Sequence, residues 1–553
     1  MAFLNGRWWL AAIISSACVF AVSAWLLVIG PTHVVIAPWD VFINLDEAWR
    51  LHLGQVPGRD FHNPVGPVTY LLDAYGMDLV GPSLDAVTVG NVIFLCIVAA
   101  MGSFVAYRRI PPLPAMLFVV FLVFMIGATR QMGRSVHTPG YCELYNRYGW
   151  SLLCVVFLQF CLPVRKGAPE RRVVEGVLGG TGLAILFYTK ATFAAVAAIP
   201  VLFACCACPQ WRQWRRLAGF MAGLLAVGML LWLLIRLNVY DYLKDFIESG
   251  RAQTFERRWP SVQVAVIGAG RYVLLTGIVW AFLVAVPVVR RRLSLSAAVG
   301  TSAFVVLAAA CAVLAASGNT GEAGEMPLFV IPGLIVINAS RWQEGGMPSW
   351  SDSKRDWSYL AAVVVVLVIA GPTLARDALS IAVSTAWRGY RTTAVPASQR
   401  FDAKPIGDFI IPHNIDWTTN IWTSAQLPGR VNDGLALVRR HVSPQQSVLA
   451  LAFSNPFTYA LGLRPPRGTP VWFDFDINFN RRNHMDPERL FADVDFVIEP
   501  VLRAGDVYVN GKATLDALHD IYEPYLAQQY VEVERSTYWR LRRRRSLSSG
   551  SPD

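Results

Sequence analysis

The sequence predicts a polytopic α-helical membrane protein with a C-terminal extracytoplasmic α/β domain, and three observations carry that prediction. Of 553 residues, 54% are hydrophobic and only 16% charged, against roughly 25% charged in a typical soluble domain. The shortage is uneven, because apolar runs of membrane-crossing length recur up to Leu374 and then stop. Basic residues gather in short clusters on alternate loops between those runs, the pattern of a chain that crosses a bilayer repeatedly.

The first run, Trp8 to Ile29, follows a single basic residue, Arg7, and lacks a small-residue cleavage site, so it reads as a retained first helix. Further helices are expected near Ala86 to Tyr107, Leu113 to Ala128, Gly149 to Pro163, Val173 to Tyr188 and Thr192 to Ala207. The series continues near Leu217 to Asn238, Arg271 to Val289, Leu295 to Ser317, Pro327 to Ala339 and Tyr359 to Leu374. That makes about eleven spans of a bilayer roughly 30 Å thick. Five short basic loops mark the cytoplasm: Arg108 and Arg109; Arg165, Lys166, Arg171 and Arg172; Arg212, Arg215 and Arg216; Arg290 to Arg292; and Arg341, Lys354 and Arg355. The intervening loops, chiefly 30–85, 129–148 and 240–270, then face outward, with the N-terminus inside and the chain in the inner (plasma) membrane. The basic run Arg540 to Arg545 pulls the other way, but distant domains cross largely regardless of charge.

Beyond the membrane part, taken as 1–376, the pattern changes to short β-rich and amphipathic runs. Helices are expected over Val431 to His441 and Ala513 to Ala527, with strands over Ser447 to Phe453, Asp495 to Ile498, Val531 to Val533 and Thr537 to Leu541. An α/β domain over 377–541 follows, and 542–553 reads as a basic disordered tail.

Several chemistries are excluded. The net charge of +11 resides in loop arginines that orient helices, which does not indicate nucleic acid. There is no phosphate-binding Gly-Lys-Ser/Thr loop and no His-Glu-x-x-His. Most of the nine cysteines lie in apolar runs and none follows Cys311, so neither a disulfide framework nor a zinc motif is expected; Cys205, Cys206 and Cys208 read as buried thiols.

The first outer loop holds Asp46-Glu47 and then Gly58-Arg59-Asp60-Phe61-His62-Asn63-Pro64-Val65-Gly66-Pro67. Adjacent carboxylates just outside a membrane helix can supply the proton acceptor that activates a hydroxyl. The rival reading is a solvated loop helix, and Asp60 is equally well a turn acid paired with Arg59 or Arg50. The second outer loop collects Arg130, Arg134, His137, Tyr141, Glu143, Tyr145, Asn146, Arg147 and Tyr148. Interfacial aromatics and arginines often only anchor a helix, yet as a group these supply the donors and stacking faces that a phosphate head and a sugar require. Lys190 interrupts an apolar stretch, and a charge at that depth is a functional candidate by default. Glu256, Arg257 and Arg258 sit at the tip of the loop 240–270, which is either a lid over substrate or a solvated loop.

The acidic pair followed by the Arg-Asp-Phe-His stretch resembles the integral-membrane GT-C glycosyltransferases, in particular those similar to protein mannosyltransferases and the lipid A aminoarabinose transferase. One departure is Asn63, which stands between His62 and Pro64 where the mannosyltransferase pattern has consecutive prolines. The resemblance implies a GT-C-like fold and transfer of a sugar from a polyprenyl-phosphate donor to a glycan, lipid or protein acceptor on the outer face. On that reading Asp46 is the base, with Glu47, Asp60 and Glu143 as the other catalytic carboxylates. Lys190, Arg147, Arg258 and Arg130 hold the donor phosphate, and His62, Tyr145 and Asn146 contact sugar or acceptor. No cofactor is required, although a divalent metal stays open, with Glu322 and Glu325 as weak ligands. The rival class is a transporter or flippase of lipid-linked saccharides, but it should carry midplane charges on several helices, whereas most charges here lie at loop level.

Overall fold

Chain segments that enter lipid must satisfy their backbone hydrogen bonds internally, and each apolar run expected to cross the bilayer is helical over most of its described residues. The computed structural model describes residues 8–545 apart from 33, 35–36, 166–167, 286–287, 289–293, 319–324, 340–356, 392–399, 408–425 and 502–510. Lys166, Arg290 to Arg292, Glu322, Arg341, Lys354, Arg355, His413, Trp417 and Trp422 lie outside the described residues.

In chain order the elements are α1 (Trp8–Ile29), α2 (Pro38–His52), β1 (Phe61–His62), α3 (Val68–Val80), α4 (Asp85–Arg109), α5 (Pro112–Gly127) and α6 (Leu144–Cys161). Then come α7 (Arg172–Thr189), α8 (Ala191–Ala207), α9 (Trp214–Ile235), α10 (Val239–Ala252), α11 (Phe255–Trp280), α12 (Leu295–Ser317), α13 (Val330–Ala339) and α14 (Trp357–Arg391). Among the described residues six helices are long and apolar enough to cross a membrane: α1, α4, α9, α12, and segments Arg258–Trp280 of α11 and Leu367–Ala386 of α14. Pro112–Gly127, Ala191–Ala207 and Pro327–Val336 are shorter apolar helices. Exposed apolar side chains cover α1 and α9, for example Phe20, Val28, Leu225 and Leu234, the surface that lipid would cover.

Three stretches differ from the sequence expectation. The loop 30–85 contains two helices, α2 and α3, because Pro38 sits at the first helical position and Asp40 in the first turn, a helix-starting arrangement. The loop 240–270 holds all of α10 and the start of α11. Helix α14 does not end near Leu374 but continues to Arg391.

Helices α7 and α9 meet through glycines. A Cβ on Gly176 or Gly180 would lie 2.2 Å from Arg216 O or 2.0 Å from Phe220 O, and one on Gly219 or Gly223 would meet Val173 O or Val177 O at 2.4 and 2.2 Å. Both helices thus use a small-x-x-x-small spacing to bring their backbones together. At the same end of the helices, Glu175 is buried and receives Arg108, Arg109 and Arg216, so three arginines from two of the basic loops converge on one carboxylate.

The remaining elements are α15 (Leu427–His441), β2 (Val448–Ala450), β3 (Thr469–Pro470), β4 (Phe496–Pro500), α16 (Gly511–Gln529), β5 (Tyr530–Arg535) and β6 (Trp539–Arg544). Four strands form one sheet in the order β2-β4-β6-β5, parallel between β2 and β4 and antiparallel thereafter. The sheet includes Arg542, Arg543 and Arg544, residues expected in the tail. Arg540 and Arg542 are bound by Glu499 and Glu523, so carboxylates of the sheet and of α16 absorb part of that basic run. β1 pairs in parallel with β3, which ties this region to the end of the helices that carries α2 and α3, called here the site end.

Candidate active site

The acidic pair lies in the middle of α2, and its two members point in different directions. Asp46 is buried: Arg50 Nε donates to its Oδ2 at 2.8 Å and Thr458 Oγ1 to its Oδ1 at 2.5 Å. Arg50 in turn donates to Pro466 O at 2.8 Å. Both oxygens of the expected base are thus engaged, one of them with the C-terminal region. Glu47 accepts a hydrogen bond from Asn63 Nδ2 and lies near Asp73 of α3, itself fully buried. Burial, reinforced by Asp46 and Asp73 and opposed by Arg50, pushes the Glu47 carboxyl well above the ordinary range. Asp73 is raised likewise by burial, so each of these two neighbouring acids disfavours the charged form of the other.

A second group is half-buried and therefore reachable. Asp40, in the first turn of α2, is pushed up to about 7 by burial, then by the charges of Glu143 and Asp474, against a backbone N–H of Glu143. Glu143 precedes α6; its Oε2 accepts from Asn146 Nδ2 at 2.8 Å. Lys190, in the sharp break between α7 and α8, reaches Asn146 Oδ1 at 3.4 Å and lies 4.9 Å from the Tyr145 ring centre. Burial brings its ammonium down to about 8, against the pull of Glu143. Tyr145 sits among Glu143, Asp40 and Glu47. Backbone strain surrounds this group: of the four described non-glycine residues with positive φ, Glu143 (55°) is one of its carboxylates, and Ala37 (46°) and Asp476 (62°) lie within three residues of the other two, Asp40 and Asp474. Such left-handed residues persist where surrounding packing over-determines them.

The motif around Pro64 explains how the group is assembled. Gly66 N donates to Thr189 O at 3.1 Å, and a Cβ on Gly66 would lie 2.0 Å from Tyr188 O. Only glycine lets the first loop approach the backbone beside Lys190 so closely. Asn63 Oδ1 accepts from Val65 N at 3.0 Å and from Trp472 Nε1 at 3.2 Å, so one side chain links Glu47, its own turn and a C-terminal aromatic.

The other expected site residues lie elsewhere. Arg130 and Arg147 are buried in an ionic network: Arg130 Nη2 meets Glu325 Oε2 at 2.7 Å and Asp377 Oδ1 at 2.9 Å, while Arg147 Nη1 meets Asp377 Oδ1 at 3.2 Å. Arg147 also donates to Arg130 O and Met125 O. With side chains at most 2% exposed, these two hold α5, α6 and α14 together. Glu325, a weak metal-ligand candidate in the sequence, is one of the two acceptors of that network, with Asp377 the other. Asp60 accepts from Val56 N at 2.9 Å and pairs with Arg59; burial pushes its carboxyl up, but those partners win and hold it below the usual range. His62 Nδ1 pairs with Asp245 Oδ1 of α10 at 2.7 Å, and Arg489 Nη2 approaches its Nε2 at 3.2 Å, so His62 bridges three segments. Arg258 is exposed on α11 and donates to Gln253 Oε1 at 2.6 Å.

The sequence reading passed over Asp40, Asp73, Asp245 and Asp474. Asp40 was detectable from Pro38-Trp39-Asp40 as a helix start, and Asp73 as an acid inside an apolar helical pattern. Asp245 and Asp474 reach their partners through tertiary contacts alone. Among the described residues no three His, Cys, Asp or Glu side chains are arranged to hold a metal ion.

Comparison with known proteins gives likenesses of structure alone. No protein-family model matches the sequence, and the search of curated proteins returns no match. The fold is similar to that of ArnT from Cupriavidus metallidurans bound to undecaprenyl phosphate, at 13% identity over 98% of this chain and 99% of that one, with a TM-score of 0.47. It is similar also to an oligosaccharyltransferase from Archaeoglobus fulgidus, at 10% identity over 95% of this chain and 72% of that one, TM-score 0.40. A third likeness is to the mycobacterial arabinofuranosyltransferase AftD, at 12% identity over 96% of this chain and 39% of that one, TM-score 0.42.

Proposed function

We propose that the chain is a membrane glycosyltransferase that moves a sugar from a polyprenyl-phosphate donor to an envelope glycan, lipid or protein acceptor on the outer face. The observation that carries this reading is the half-buried group at the site end, where one ammonium, Lys190, stands beside Glu143, Tyr145, Asn146 and Asp40. Such a group fits the reaction. The departing lipid phosphate gathers negative charge, which Lys190 neutralises through a charge-assisted hydrogen bond. The acceptor hydroxyl loses a proton, which a carboxylate with a pKa near the working pH takes up most effectively. Asp40, at about 7, meets that condition. Asp46, the base suggested by the family resemblance, is saturated by Arg50 and Thr458; in this reading it anchors the C-terminal region, and Glu47 with Asn63 and Trp472 shapes the sugar pocket.

The test is transfer itself: purified protein in proteoliposomes, offered radiolabelled polyprenyl-phosphate sugars together with envelope extract, should form labelled acceptor in the wild type and roughly 10²-fold less of it in Asp40→Asn. Absence of transfer with every donor, combined with movement of lipid-linked saccharide across the vesicle membrane, would establish the transporter reading in its place.

A further inference from the structure

A narrow crevice lies away from the Lys190 group, between α1, the start of α4, the end of α5 and the second half of α14. Its lining includes Thr32, Asn91, Thr129, Tyr141, Ser384 and Thr385, a concentration of hydroxyl and amide groups among otherwise apolar helices. Thr129 and Ser384 bond to each other at 3.4 Å, and the Tyr141 hydroxyl accepts from Thr32 N at 2.7 Å. Thr32 Oγ1 and Asn91 Oδ1 are buried and have no hydrogen-bond partner among the described residues. At the rim, Trp25 donates to Thr385 Oγ1 at 3.1 Å and is 49% exposed. Trp25 belongs to α1, whose outer surface is apolar and exposed at Phe20 and Val28, so the crevice borders the surface that faces lipid. Asn91 stands less than two turns into α4 from Asp85, hence near the site end.

We propose that this crevice binds the hydroxylated headgroup of a membrane lipid from the leaflet at the site end. Polar groups left without partners beside lipid cost free energy, so a lining of this kind calls for a polar occupant. Threonine, serine, tyrosine and asparagine each both donate and accept, as alcohols do; no charged side chain is among the lining residues, and the nearest, Arg388 and Asp85, stand together against Gly30 with opposite charges that offset each other. A sugar or other polyol headgroup therefore fits better than a bare phosphate or a choline group. Tyr141 is two residues from Glu143, and Asn44 of α2 approaches its carbonyl at 3.5 Å, so the inner wall of the crevice continues into the Asp40 and Glu143 group. If the glycosyltransferase reading holds, on which this last step rests, the crevice is where a lipid-borne acceptor presents its hydroxyl.

The test is photolabelling in phosphatidylcholine nanodiscs that carry a trace of one of two lipids with the same diazirine acyl chain, a glucosyl diacylglycerol or a phosphatidylcholine. Wild-type protein should be labelled on α1 and α14 about fivefold more by the glucosyl lipid, the worth of about one net hydrogen bond. Asn91→Leu, which keeps volume and removes the amide, should abolish the preference. Ser384→Ala, a smaller change, serves if Asn91→Leu does not fold. Equal labelling by both lipids in the wild type, or an undiminished preference in a folded variant, overturns the proposal. The readout needs no sugar transfer, so its failure leaves the transferase reading intact, and an inactive enzyme that still shows the preference retains the site.

Discussion

Asp40 and Lys190 titrate on either side of a narrow window, and that fixes the sign of the pH dependence. Asp40 works as a base only when ionised, so activity should appear as pH rises through about 7. Lys190 binds phosphate only when charged, so activity should fall as pH rises through about 8. A bell-shaped profile of kcat/KM peaking between these values is expected. Asp40→Asn should lower transfer by roughly 10²-fold and remove the acid limb, whereas Lys190→Arg, whose charge persists, should remove the alkaline limb. Stopped-flow or radiometric profiles from pH 5 to 10 measure both, and an unchanged acid limb in Asp40→Asn would assign the base elsewhere. Lys190→Ala should weaken donor binding by about 1.5 to 3 kcal/mol, a lost charge-assisted bond, with little change in melting temperature. Arg147→Ala should do the reverse: buried Asp377 would keep Arg130 but lose its second guanidinium, and the bonds to Arg130 O and Met125 O would go too, at a cost in stability of about 1 to 3 kcal/mol. Residue type and loop position brought Glu143, Asn146 and Lys190 into view from the sequence. They could not separate Lys190, which faces the reachable group, from Arg130 and Arg147, because the deciding partners Glu325 and Asp377 are about 200 residues away in the chain.

At the scale of elements, periodicity located the apolar helices and the two amphipathic helices α15 and α16, but left α2, α3 and α10 of the outer loops as loop. In α10 the exposed apolar residues Val239, Tyr240, Leu243 and Ile247 share the outer surface with exposed Lys244 and Glu248, while Asp245 and Ser249 are buried beside Tyr242 and Ala252. Such a pattern suits a helix between lipid on one side and a polar site on the other, and without knowing the surroundings the segment reads as loop. Helices α7 and α9 were expected as spans, but their contact depends on which glycines face each other, which one chain's periodicity does not tell. The prediction is sharp there. Gly180→Leu would drive a side chain into Phe220 O, where a Cβ alone has 2.0 Å, and should lower stability in detergent by about 1 to 3 kcal/mol or more. Gly250→Leu, at a glycine with open space around its Cβ position, should leave the melting temperature unchanged. Thermal unfolding of the two variants side by side distinguishes a glycine interface from a general intolerance of leucine.

At the scale of the molecule, the helices have two chemically distinct ends, one where loop arginines converge on Glu175 and one where α2, α3 and the C-terminal region meet. The charge alternation in the sequence anticipates this division, but not how the C-terminal region attaches. That attachment depends on Asp46 and Arg50 as much as on the pairing of β1 with β3: Arg50 spans from Asp46 to Pro466 O, and Asp46 accepts from Thr458. The same acid is therefore claimed by two roles, base or anchor, and a double replacement separates them. Asp46→Asn alone leaves the Arg50 charge buried and poorly compensated, so stability should fall by about 3 to 5 kcal/mol and transfer should fall with it, under either role. Replacing both members by apolar residues of similar volume, Asp46→Leu with Arg50→Met, removes the buried charges together and should restore much of the stability. If Asp46 is an anchor, transfer should recover along with the melting temperature and with protection of the C-terminal region from proteolysis. If stability and protection return while transfer stays at least 10²-fold down, Asp46 is the base, and Asp40 loses that role.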